Sequence, residues 1–94
     1  MTEIWRSVDP LALHWRTWGE EHVVYDDGSG DTHLLDAEAA AVLLRLTRGP
    51  ASTDELVTEL ARELEIEPNQ ALTSNITITL AMFKRLGLIE PDIS

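Results

Sequence analysis

The side chains that could do chemistry are few and spread out. Three histidines (His14, His22 and His33) and three aspartates (Asp26, Asp27 and Asp31) fall within residues 14–33. Convergent imidazoles would suit zinc, and carboxylates at set intervals around a glycine would suit calcium. Neither spacing is met. The histidines lie on three separate β-type segments. DDGSGD (26–31) departs from the calcium-loop interval but follows ordinary turn chemistry, in which Asp bonds nearby backbone and Gly supplies positive φ. His33 has a second reading, as a contact at a strand edge that tunes ligand binding near neutral pH. The sequence has no cysteine, hence neither disulfide nor thiolate. It has no glycine-rich phosphate loop and no activated-serine motif. No metal, no cofactor and no catalysis are expected.

The totals narrow the class further. A chain of 94 residues makes one domain with a modest core. Seventeen acidic residues against seven basic ones give a net charge of −10. Nucleic-acid binders cluster Lys and Arg to neutralise phosphates, whereas here only Lys84 and Arg85 are adjacent. The acidity also repels anionic membranes. No apolar run approaches the roughly 20 residues that span a bilayer, and MTEIWRSVDP carries no signal-peptide pattern. A cytoplasmic protein is expected, without a nucleic-acid or membrane partner.

The elements that position these residues are read from periodicity. Residues 1–10 form an irregular lead-in ending at Pro10, with Trp5 tucked under the core. LALHWRTW (11–18) alternates, with Leu11, Leu13, Trp15 and Thr17 on one face. HVVYD (22–26) is a second strand and DTHLL (31–35) a third, joined by the glycine turn. Asp36 then caps a first helix in which Ala39, Val42, Leu43 and Leu46 make one stripe, stopped by Arg48-Gly49-Pro50, where Gly suits a left-handed cap. Ser52-Thr53-Asp54-Glu55 matches a capping box for a second amphipathic helix. Pro68 suits the first turn of a third, running from about Asn69 to Leu86 and closed by Gly87. The order is three strands, then three helices.

The third helix is apolar on two sides. At about 100° per residue, Leu72, Ile76, Leu80 and Phe83 share one quadrant and belong to the core. Ala71, Ile78 and Met82 form a second cluster about a right angle away, with Asn75 and Arg85 at its margins. The second cluster is either a wide core face or an open groove for an apolar ligand, a role that flexible Met suits. In a three-stranded meander the third strand has a free edge, and Asp31–Leu35 has one charge at its start and no Pro to blunt it. A peptide can add there as a further strand.

These features together carry a resemblance. Trp15, Val24-Tyr25-Asp26, Leu34-Leu35-Asp36, Ala39-Ala40, Val42, Leu46, Thr53, Leu56, Leu60 and Leu86-Gly87-Leu88-Ile89 stand in an order and spacing that resembles the PqqD-like peptide chaperones. These are also called RiPP recognition elements, and the similarity is to stand-alone members beside HPr-kinase-related proteins. It covers roughly residues 11–91, so that 1–94 is a single PqqD-like domain. The resemblance implies an α+β, winged helix-turn-helix-like fold: a three-stranded antiparallel sheet followed by three helices. It implies a peptide chaperone for natural product biosynthesis. Such a protein binds the leader peptide of a ribosomally made precursor as a strand added between third strand and third helix, and presents it to a modifying enzyme. The matching positions are Asp31, Thr32, His33, Leu34 and Leu35 on the strand and Asn75, Ile78, Met82 and Arg85 on the helix. The alternative is a winged-helix DNA-binding transcriptional regulator, since GLIEP after a long helix also resembles the exit from a recognition helix. The net charge and a chain that stops before a C-terminal wing oppose it. A homodimer through strand edges is a third expectation, compatible with the first.

Overall fold

Residues 3–92 are described by the computed structural model; Met1, Thr2, Ile93 and Ser94 lie outside the described residues. In chain order the elements are β1 (Ile4–Ser7), a 3-10 turn (Pro10–Ala12), β2 (Leu13–Trp18), β3 (Glu21–Asp26), β4 (Asp31–Leu35), α1 (Ala37–Thr47), β5 (Ala51–Ser52), α2 (Thr53–Leu64), α3 (Gln70–Arg85) and β6 (Ile89–Pro91). The expected meander is β2-β3-β4, antiparallel throughout. Its period-two pattern decides which face meets the helices. Val24 and Leu35 are buried, Leu13 and Trp15 pack against the core, and α1 lies against β3 and β4. The α+β, winged-helix-like class stands.

A second sheet accompanies it, in the order β5-β1-β6. Its central strand is the segment expected to be an irregular lead-in. Trp5 pairs with Ala51 on one side and Pro91 on the other, and its ring is buried as expected. The first strand of the meander also starts later than its alternation implies. Pro10 has a fixed φ and no N–H to give a ladder, and Ala12 N–H closes a turn on the Asp9 carbonyl at 3.1 Å. Leu11, expected on one strand face with Leu13 and Trp15, lies outside β2 and is 91% exposed.

The helices begin where side-chain acceptors meet their free N–H groups. Asp36 Oδ1 accepts from Ala39 N–H at 2.8 Å. Ser52 Oγ accepts from Glu55 N–H at 3.1 Å while Glu55 Oε1 accepts from Ser52 N–H at 3.2 Å, the full capping box. Asn69 Oδ1 accepts from Leu72 N–H at 2.9 Å. Pro68 therefore precedes the cap instead of lying in the first turn of α3, because Pro has no side-chain acceptor to cap with. Gly49 also differs from expectation. It takes φ +153 after α1, outside the left-handed helical region, and its carbonyl accepts from the Arg45 guanidinium at 3.0 Å. The same Arg45 pairs with Glu59 of α2 at 3.0 Å, tying the two helices.

The core runs between the layers. Leu43, Leu46, Leu56, Ile76 and Phe83 are among its largest fully buried side chains, with Val24 of the meander and Ile89 of the second sheet.

Candidate functional site

β4 ends the meander. Among the described residues its only strand neighbour is β3, in the register His22–Leu35, Val23–Leu34, Val24–His33, Tyr25–Thr32 and Asp26–Asp31. On an antiparallel edge, alternate residues turn their N–H and C=O outward. The hairpin before β4 is held by its own polar groups. Asp26 Oδ1 accepts from Gly28 N–H at 2.9 Å, Ser29 Oγ accepts from Asp31 N–H at 3.2 Å, and Gly30 N–H bonds the Asp26 carbonyl at 2.7 Å. The Asp26 carboxylate is thus engaged in turn chemistry.

The side chains of β4 divide by pleat. Leu35 is buried in the core, so at this position only its backbone faces a ligand. His33 shares Val24's inward parity and is half-buried. Its Nε2 is fully buried without a hydrogen-bond partner among the described residues. Thr32 and Leu34 stand on the outer face, Leu34 at 69% exposure, and Asp31 is exposed at the strand start.

α3 lies across α1 from this edge; α1 packs on both β4 and α3. Leu72, Ile76, Leu80 and Phe83 are buried, as their quadrant requires. The second cluster splits. Ile78 is 67% exposed, Ala71, Asn75 and Arg85 are exposed, and Met82 is half-buried against the core. Ile78 borders a shallow depression with Gln70, Thr73, Ser74 and Thr77. Thr73 and Thr77 satisfy their hydroxyls on the carbonyls of Asn69 and Thr73, at 3.1 and 2.8 Å. The two threonines therefore present their methyl groups to the depression more than free donors.

The structure thus sets Ile78, Asn75 and Arg85 on an open surface and leaves Met82 as its inner wall. The depression on Gln70, Thr73, Ser74 and Thr77 was missed in the sequence. The i, i+4 spacing of Thr73 and Thr77 was the available signal. The three histidines occupy different cross-strand rows: His14–Tyr25–Thr32, Trp15–Val24–His33 and Thr17–His22–Leu35. His14 lies 3.7 Å from Asp27 and 6.2 Å, centroid to centroid, from the Tyr25 ring. Among the described residues, no three His, Cys, Asp or Glu gather as a metal site. No helix among them is long and apolar enough to cross a membrane.

An α+β domain in which, among the described residues, a free strand edge and a long helix both pack against α1 defines the class. The chain belongs to the PqqD family: the model for coenzyme PQQ synthesis protein D (PqqD) matches residues 21–89. Two solved structures share the fold. TbiB1, solved in complex with the TbiA(beta) leader peptide, aligns with a TM-score of 0.70 at 18% identity, covering 95% of this chain and 99% of that one. A lasso peptide synthetase B1 complexed with the leader peptide aligns with a TM-score of 0.67 at 23% identity, covering 93% and 98%. No curated protein is a significant sequence match.

Proposed function

We propose that this chain is a non-catalytic peptide chaperone. It binds the leader segment of a ribosomally made precursor peptide by strand addition to β4 and presents it to a modifying enzyme. The observation that carries the reading is the β4 edge of this PqqD-family chain, which among the described residues ladders with β3 alone. Both structural neighbours are complexes with leader peptides, which supports leader binding here. In this reading the backbones of Asp31 to Leu35 complete the ladder, and peptide side chains pack towards Ile78 and Met82, with Asn75 and Arg85 at the margin. In strand addition the backbone ladder supplies affinity and alternate side chains supply selectivity.

The surface of α3 fits this better than DNA recognition. Among the described residues its cations are Lys84 and Arg85, and the Lys84 ammonium lies 5.8 Å from the Trp5 ring centroid. A recognition helix would need more positive charge to offset a net −10.

An NMR titration of labelled protein with synthetic leader peptides encoded beside its gene tests the reading. Amide shifts concentrated at residues 31–35 and 75–85 are expected. No response to any such peptide, with shifts of the same amides on adding DNA or on raising protein concentration, would replace the chaperone by a DNA-binding protein or a strand-edge dimer.

A further inference from the structure

Among the described residues the helices cover one face of the meander and leave the other bare. On the bare face Trp18 is 71% exposed, Leu34 69% and Tyr25 40%. The register places Arg16, Val23 and Leu34 in one row across the three strands. His14, Trp15, Arg16, Val23 and Tyr25 line a depression in it. Aromatic residues and Arg around an apolar centre are the composition of a protein-docking surface, and a lone exposed Trp is among the most probable anchors.

Two observations select the occupant. The first is charge. The face ends in acidic turns, Glu20 and Glu21 beside Trp18 and Asp27 beside His14, on a chain of net charge −10. A second copy would bring like fields together, whereas a partner with an apolar centre and a basic rim is steered in. The second is continuity with the peptide edge. Leu34 belongs both to this face and to the strand that a leader would extend. A strand added to β4 continues the pleat, so alternate side chains of the peptide join the outer face beside Leu34.

We infer that the outer face of β2-β3-β4 is the seat of the modifying enzyme, and that a bound leader strand widens this seat into a surface made of both chains. The inference rests on the chaperone reading and assigns its second partner a place. The enzyme recognises the loaded chaperone better than the empty one because part of its footprint is the peptide.

The test uses the full chain, the modifying enzyme and the leader peptide encoded beside its gene. Enzyme binding is measured by biolayer interferometry with and without leader, and leader binding by fluorescence anisotropy. The double variant Trp18→Ala/Tyr25→Ala removes exposed rings only, and circular dichroism checks that its melting is unchanged. It is expected to lose about tenfold or more in enzyme affinity while binding leader as the parent does. Leader is expected to raise the parent's enzyme affinity about fivefold or more. Unchanged enzyme binding by the variant would overturn the inference. So would an enzyme affinity indifferent to leader, or a dimer in sedimentation that the variant abolishes. Failure of the parent chain to bind leader at all would instead remove the chaperone reading, and the anisotropy arm shows that separately.

Discussion

Glu65 holds a backbone angle that suits glycine. It sits at φ +57 just after α2, where its N–H bonds the Arg62 carbonyl at 3.2 Å and the next N–H, of Ile66, bonds that of Ala61 at 2.9 Å. This is the Schellman arrangement, which prefers Gly at the left-handed position. α3 ends the same way, with Leu88 N–H on the Phe83 carbonyl at 2.9 Å and Gly87 at φ +78. An L side chain in that conformation costs roughly 1–2 kcal/mol, partly offset because Gly loses more entropy on folding. Glu65→Gly is therefore expected to stabilise the domain by about 0.5–1 kcal/mol, raising Tm by about 3–6 °C in a thermal melt. Gly87→Ala should move Tm in the opposite direction by a similar amount. Unchanged or lower Tm for Glu65→Gly would mean that the exposed Glu65 side chain makes a stabilising contact larger than the backbone strain.

At the scale of elements, the two sides of α3 separate binding from stability. Periodicity gave two clusters but could not say which atoms of the second meet solvent. Ile78 is 67% exposed, while Met82 packs against the core. A carboxylate at position 78 loses only helix propensity, a few tenths of a kcal/mol, and places charge where the peptide would lie. Ile78→Asp should weaken leader binding about tenfold and leave the urea midpoint nearly unmoved. Met82→Asp buries part of a charge and should cost about 2–4 kcal/mol of stability. Its loss of leader binding would then report unfolding as much as contact. If Ile78→Asp binds leader like the parent, α3 is not part of the peptide seat. The caps at Asp36 and at Ser52–Glu55 were legible in the sequence, because a cap is a local pattern of side chain and free N–H. The three-stranded meander was legible for the same reason, since its strands follow one another through short turns. β1, β5 and β6 were not. They have four, two and three residues, too few for periodicity to register, and their partners are distant in sequence.

At the scale of the whole molecule, β1 fastens the start of the described chain to both its middle and its end. It is the central strand of the second sheet, between β5 and β6. Three interactions fix it, and their magnitudes rank them. Arg6 and Glu90 pair at 3.0 Å with the Arg side chain 53% exposed; such a pair contributes about 0–1 kcal/mol. Lys84 over the Trp5 ring at 5.8 Å adds about 0.5–1 kcal/mol at an exposed site. Burial of the Trp5 ring, 7% exposed within the main core cluster, outweighs both, since truncating a buried Trp typically costs about 3–5 kcal/mol. A domain of this size holds about 5–15 kcal/mol in total. Trp5→Ala should then lower Tm by about 15 °C or more and strip hydrogen-exchange protection from β5 and β6 together, because among the described residues both strands ladder onto β1 alone. Arg6→Ala should lower Tm by no more than a few degrees. Leu11→Ala is the control of equal apolar character: at 91% exposure it should leave the melt where it was. A Trp5→Ala protein that melted like Leu11→Ala would show that the second sheet is held by its backbone ladder and not by the core beneath it.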